Sequence, residues 1–232
     1  VLVWRDFVST YRQTVLGPLW HVIQPILTTL TYTIVFAGIA GVSTGGAPPV
    51  LFYLAGTSLW TYFAVNLTSV SGVFISNAHI FGKIYFPRLC IPVSIAFSNL
   101  IALGIRLGLL YILAASYGVL TLQSALLSLL YLPVAVFSIA CFSQGLGMIV
   151  ACLTTKYRDL QQALTFGVQL MMFFTPVIYP KASIPTAYRV WFQLNPLTEI
   201  LEGYRALLFA GSLPDLGWIL ASVGVSMVVC AA

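Results

Sequence analysis

No charged residue falls between Arg12 and Lys83. A run that long cannot be one membrane crossing of roughly 20 residues, so it must hold at least two. The turn Ser43 to Pro49, STGGAPP, divides it. Only 6% of the 232 residues are charged against 60% hydrophobic, with a mean hydropathy of +1.00. That composition excludes a soluble domain and predicts an all-α membrane protein. The net charge of +5 is read as basic loops on one face of the membrane, not as a nucleic-acid surface.

Before the first run, Trp4, Phe7, Val8, Tyr11 and Val15 recur at helical spacing, with Arg5, Ser9, Arg12 and Gln13 on the other side. The pattern predicts an interfacial amphipathic helix over 3–16, hinged at Gly17-Pro18 onto the first crossing. Six crossings are expected, at about 19–42, 51–75, 93–116, 125–153, 163–179 and 216–232. They form a single transmembrane domain, 1–232. Pro180 to Pro214 is too polar to span and too apolar to float free. It is read as a re-entrant pair of helices, about 184–193 and 197–209, within 184–209.

Six basic residues (Arg5, Arg12, Lys83, Arg88, Lys156 and Arg158) flank one side of this arrangement. The other side carries Lys181, Arg189 and Arg205, all in the longer re-entrant segment. The distribution predicts cytoplasmic termini. The chain opens without Met and its last apolar run stops without a polar flank, so both ends are expected to be trimmed. No cleavable signal pattern is present. Cys90, Cys141, Cys152 and Cys230 have no metal-like spacing and read as small hydrophobes.

Catalytic constellations are absent from the pattern. His21 and His79 have no partner at metal-ligand spacing, and no phosphate-binding Gly-Lys-Ser/Thr loop occurs. Glu199 and Glu202 are three apart, but Arg205 follows Glu202 by three, which reads as a helix-face ion pair. Arg106 is the one charge inside a predicted crossing. Gly104 and Gly108 make a GxxxG pattern suited to packing a neighbouring helix. Arg106 would then face a cavity, a partner such as Asn99, or lipid headgroups, serving either structure or a transport path. Tyr32, Phe36, Phe52, Tyr53, Trp60, Tyr62, Phe63, Phe173, Phe174 and Tyr179 form either an interfacial belt or an inward, sugar-stacking lining. The segment 77–92 mixes Ile80, Phe81, Ile84, Tyr85 and Phe86 with Lys83 and Arg88, as a docking helix for a soluble partner would.

YRQTVLGPLWHVIQP (Tyr11 to Pro25) resembles the N-terminal signature of permease subunits of polysaccharide ABC exporters, which move O-antigen, capsule or teichoic acid chains. KIYFPRLCIPVS (Lys83 to Ser94), KYRDLQQAL (Lys156 to Leu164), FFTPVIYP (Phe173 to Pro180) and NPLTEILEGYRALLFAG (Asn195 to Gly211) resemble later family segments, in order.

The resemblance implies a homodimer around a continuous channel in the bacterial cytoplasmic membrane. Two separate ATPase subunits would dock beneath it, and ATP and Mg would be bound there rather than in this chain. An undecaprenyl-linked polysaccharide would be the cargo. It implies ATPase docking through Arg5, Arg12, His79, Lys83, Arg88, Lys156, Arg158 and Asp159, within the first helix and loops 77–92 and 154–162. Arg5, Arg12, Lys83 and Arg88 would meet lipid pyrophosphate at the entrance. Tyr32, Phe36, Tyr53, Trp60, Tyr62, Phe63 and Phe174 would line the channel. Pro185, Trp191, Asn195, Pro196, Glu199, Glu202 and Arg205 would form the outer gate. An acidic residue is common in the family near Asn99, and an arginine at position 106 is not a family feature. The competing readings are an ABC permease for drugs or small lipids and, in another class, a membrane-embedded transferase. The latter needs a carboxylate or histidine cluster that the pattern lacks.

Overall fold

The computed structural model describes residues 19–76, 89–157 and 159–231, and everything within them that is regular is helical. The expected interfacial helix over 3–16 lies outside the described residues. So do 77–88 of the first docking loop, and Arg158. Helix α1 (Trp20–Tyr32) continues through wide π-helical turns over Thr33–Ile39. The hydroxyls of Thr31 and Thr33 donate to the carbonyls of Leu27 and Thr29 at 2.9 and 2.8 Å. Such back-bonding bends helices and accompanies the widening. Next come α2 (Pro49–Ser71), a short α3 (Val73–Ser76), α4 (Cys90–Ser116) and α5 (Leu122–Thr154). The chain closes with α6 (Leu160–Phe173), α7 (Arg189–Gln193), α8 (Pro196–Arg205) and α9 (Leu216–Ala231).

Four of these, Trp20–Ile39, Pro49–Ser71, Cys90–Ser116 and Leu122–Thr154, are long and apolar enough to cross a membrane. Their starts follow local chemistry. Pro48-Pro49 opens α2 where no helical N–H is needed. Pro92 falls in the first turn of α4, so that helix begins at Cys90, ahead of the expected 93. Thr121 and Ser124 cap α5 reciprocally at 3.1 and 3.0 Å.

The fifth apolar segment departs from expectation. Its helix stops at Phe173 instead of continuing toward 179, because the chain turns over Phe174–Pro180 and gives its carbonyls to another segment. The first helix expected between the fifth and sixth segments, 184–193, is also shorter than expected. Ile184 is extended (φ −78°, ψ 126°), as a residue before proline prefers, and the helix starts only at Arg189. The second matches well, since α8 and the π-helical turn Ala206–Ala210 fill the expected 197–209.

Helix α2 is the centre, buried along most of its length between α5, α4, α1, α6 and α8. Its Leu51, Leu54, Leu59, Phe63 and Leu67 share one apolar cluster with Leu103 and Leu110 of α4 and Ile139 and Phe142 of α5. Gly147 sets how closely α5 approaches. A Cβ there would come within 2.8 Å of the Val70 side chain and 3.3 Å of the Leu67 carbonyl. Side-chain bonds add register where burial alone discriminates little. Asn99 of α4 donates to the Asn66 carboxamide oxygen at 2.7 Å, Gln144 of α5 to the Pro92 carbonyl at 3.0 Å, and Thr154 to the Ser71 carbonyl at 2.9 Å. Asn99 therefore serves α2, not Arg106. Gly104 and Gly108 pack no neighbouring helix among the described residues either, with open space within 4 Å of a Cβ at both positions.

Replacing Asn99 with Ala should lower the unfolding free energy of the detergent-solubilised protein by about 1 kcal/mol, because the buried Asn66 amide loses its partner. The double change Asn66→Leu with Asn99→Leu should cost less than the sum of the two single changes, as read from thermal unfolding midpoints.

Candidate functional site

Two ends and a middle carry the polar chemistry. At the end where α2 and α5 finish and α6 begins, Thr154 ties α5 to α2. A Cβ at Gly72 would meet the Gln161 side chain at 2.8 Å, which shows how closely α6 starts beside α2. The loop between α5 and α6 presents Lys156, Tyr157 and Asp159 to the outside, with the Lys156 ammonium 5.1 Å from the Tyr157 ring centre. Arg5, Arg12, His79, Lys83, Arg88 and Arg158, expected to act with them, lie outside the described residues.

At the opposite end, the turn after α6 folds onto α8. Asn195 caps α8 by accepting from the Leu197 N–H at 3.1 Å, and its amide donates to the Thr175 hydroxyl at 2.8 Å. Pro196 occupies the first helical position, where its fixed φ suits the start. At the far end of α8, Arg205, 3% exposed, donates through its guanidinium to three carbonyls of other segments. These are Pro176 at 2.5 Å, Val177 at 2.6 Å and Phe52 of α2 at 3.2 Å. Its carbon lies 3.7 Å from the centre of the Phe52 ring.

The expected Glu202–Arg205 pair is present at 3.6 Å. Glu202 also accepts from the Lys181 N–H at 3.0 Å, while the Lys181 ammonium pairs with Glu199. Two carboxylates and two cations thus neutralise one another in a patch where Glu199 and Arg205 are buried and Lys181 and Glu202 reach the surface, and the pairing is what lets the buried pair stay charged. Sequence reasoning found Glu199, Glu202 and Arg205 but missed Lys181 as their partner. It also missed Gly56, where a Cβ would run into the Arg205 guanidinium and come within 3.0 Å of the Val177 carbonyl. No spacing rule joins position 56 to position 205.

Beside this patch lies an aromatic hollow of about 500 Å³. Met171, Phe174, Tyr188, Trp191, Phe192 and Asn195 are among the residues that line it. Trp191 and Phe174 are well exposed, and Phe174 and Phe192 sit with ring centres 6.4 Å apart. Pro185 begins the loop that carries Tyr188 to this hollow.

The expected channel aromatics separate into two sets. Tyr53, Trp60, Tyr62 and Phe63 are 0–6% exposed and fill the core of the chain itself, with Phe63 stacked on Phe142 at 5.7 Å. Within the described residues of this chain they act as packing residues, Tyr53 against Tyr32 and Phe36 and the others within the same apolar cluster. Tyr32 and Phe36 are half-buried on α1, edge to face at 5.5 Å, and Phe174 is exposed.

In the middle, Arg106 points inward from α4 and is 9% exposed. It borders a small notch with Gln24, Pro25 and Thr28 of α1 and Thr57, Ser58 and Thr61 of α2. No three His, Cys, Asp or Glu side chains gather to hold a metal ion among the described residues.

The ABC-2 type transporter family matches residues 1–209, from the first residue to the π-helical turn that ends α8. The chain belongs to the ABC-2 type transporter family. As an ABC-2 type permease it is a multi-pass membrane protein and a transporter subunit. It is similar to an O-antigen export system permease protein RfbA of Myxococcus xanthus, 28% identical over 98% of this chain and 86% of that protein. It is also similar to an RfbA permease protein of the same description from Klebsiella pneumoniae, 28% identical over 92% of this chain and 80% of that one. A second Klebsiella pneumoniae permease of that description matches at 27% over 92% of the chain.

Gly56→Ala in this ABC-2 type permease should destabilise by about 1–3 kcal/mol through overpacking against the guanidinium. Arg205→Met, which leaves a carboxylate unpaired and three carbonyls without a donor, should cost about 3–5 kcal/mol. Unfolding midpoints of the two purified variants against the parent protein check both.

Proposed function

We propose that this chain is the transmembrane subunit of an ABC transporter that exports a lipid-linked, O-antigen-like polysaccharide across the bacterial cytoplasmic membrane. The observation that carries the reading is its similarity to O-antigen export permeases over nearly its whole length. In this reading α6 with its following turn and α9 complete six crossings. The pair α7–α8 is the re-entrant element, and both termini are cytoplasmic. The chain works as a homodimer on two ATPase subunits, which bind ATP and Mg and do the hydrolysis. The chain is not itself an enzyme.

The functional parts then fall into place by chemistry. Exposed Lys156 and Asp159, with Arg5, Arg12, His79, Lys83, Arg88 and Arg158 of the sequence, form the ATPase-facing surface. Arg5, Arg12, Lys83 and Arg88 also suit the undecaprenyl pyrophosphate end of the cargo, as guanidinium and ammonium groups suit phosphate. Tyr32, Phe36 and Phe174, which keep open faces, are the aromatics available to stack on sugar rings. The patch of Glu199, Glu202, Arg205 and Lys181 fixes the outer gate that carries Pro185, Trp191, Asn195 and Pro196. Closure of the ATPases on ATP pushes on the first helix and the docking loop, and Gly17-Pro18 acts as the lever joint.

Two measurements bear on this. In a strain lacking the endogenous permease, the chain expressed with its ATPase should restore polysaccharide at the cell surface. Accumulation of the polymer inside despite normal expression would overturn the reading. Lys83→Glu with Arg88→Glu should cut co-purification of the ATPase several-fold, and unchanged co-purification would remove that loop from the docking surface.

A further inference from the structure

Among the described residues the charge at Arg106 has no hydrogen-bonding or ion-pair partner, and its titratable neighbour is His21. It lies on α4 ten residues before the helix ends at Ser116, about 15 Å along the axis. At 9% exposure, its Nε is buried without an acceptor. Among the described residues no hydrogen bond or ion pair reaches any atom of its guanidinium. The sequence holds five acidic residues. Glu199 and Glu202 are committed to Lys181 and Arg205, Asp215 accepts the Gly217 N–H at the start of α9, and Asp159 opens α6 at the opposite end. Asp6 is the fifth, and it lies outside the described residues. An unneutralised cation this deep in a bilayer is expensive enough to call for a counter-charge.

The notch that Arg106 borders has a volume of about 40 Å³, room for small polar groups. Its floor is α2. There Thr57, Ser58 and Thr61 spend their hydroxyl hydrogens on the Tyr53, Leu54 and Thr57 carbonyls at 2.7, 2.6 and 2.6 Å. Those hydroxyls cannot also donate into the notch. Its wall is α1, where Gln24 and Thr28 stand four residues apart on one face. Neither side chain makes a hydrogen bond among the described residues, so a carboxamide N–H₂ and a hydroxyl are free to donate. Pro25 between them removes one rung of the α1 ladder. A guanidinium, an exposed carboxamide and a half-buried hydroxyl therefore border one small notch, and no carboxylate among the described residues answers them.

We infer that Arg106, Gln24 and Thr28 form an intramembrane oxyanion site, which takes a phosphate or carboxylate oxygen brought by a molecule other than this chain. Charge-assisted donation by a guanidinium is the strongest element of such recognition. The site goes beyond the export reading and rests only on the membrane placement, so binding is measured apart from transport. The oxygen comes either from a lipid phosphate or from an acidic sugar of a polymer.

The test uses the permease–ATPase complex in phosphatidylcholine nanodiscs, with binding read from ligand-induced shifts in melting temperature. The probes are farnesyl pyrophosphate, an oligogalacturonate and added phosphatidylglycerol, with farnesol as the uncharged control. At least one anionic probe should bind, and Arg106→Gln should weaken it at least about tenfold, the loss expected for a charge-assisted bond. Arg106→Lys should retain part of the affinity, and Gln24→Leu with Thr28→Val should weaken it several-fold while the guanidinium stays in place. Binding of farnesyl pyrophosphate or phosphatidylglycerol assigns a lipid phosphate, and binding of oligogalacturonate assigns an acidic sugar.

Equal affinity in parent and Arg106→Gln for every probe would overturn the site, as would no binding of any anion to the folded parent. So would an Asp6→Asn variant whose loss of stability matches that of Arg106→Gln and does not add to it, since the counter-charge would then be internal. If Arg106→Gln does not fold, the Gln24→Leu/Thr28→Val variant decides alone, and unchanged affinity there overturns the proposal.

Discussion

One guanidinium holds an end of this molecule together. Arg205 gathers the carbonyls of Pro176, Val177 and Phe52, and with them the turn after α6, the start of α2 and the helix α8 that carries it. A chain that breaks its helix at Phe173 leaves backbone acceptors in a buried turn where water does not compensate them. The turn exists because a donor with several N–H groups in a fixed plane reaches it from 29 residues away. Glu202 offsets the charge, and Lys181 with Glu199 closes the remainder into a neutral set. Gly56 belongs to the same constraint from the other side, since only a residue without Cβ lets α2 lie beneath the guanidinium.

Elsewhere the helices are matched by sparse polar contacts laid on apolar surfaces. In lipid, one leucine face is as good a neighbour as another, so burial sets few preferences among registers. Asn66 with Asn99, Gln144 with the Pro92 carbonyl, and Tyr111 with Ser128 at 2.8 Å each join two helices at one register only. Gly147 works with them by admitting Val70 and Leu67 of α2 to close range.

The long helices were legible because charge-free length and proline or glycine punctuation are local signals. The gaps at Ser43–Pro49 and around Thr154–Gln162 bounded them to within a few residues. The pair Glu202–Arg205 was legible for the same reason, being three apart on one helix. The early end of α6 was not, because its cause is Arg205, far along the chain. Nor was the inward burial of Tyr53, Trp60, Tyr62 and Phe63. An aromatic at helical spacing reads alike whether its face meets another helix or a passage. Gly104 and Gly108 read as a packing face and are open, whereas Arg106, on the opposite side as expected, is enclosed.

Helix α2 is the least apolar of the four long helices and at the same time the most enclosed by the others. During synthesis it emerges before α4 and α5, the two helices that bring Asn99 to its Asn66 and Thr154 to its Ser71 carbonyl. It must therefore pass from the insertion machinery with polar groups still uncovered, and its residence in the bilayer becomes secure only as later helices arrive. Biogenesis of this permease thus depends on the order in which its helices meet, and a chain interrupted before α5 would leave α2 the first segment open to quality control.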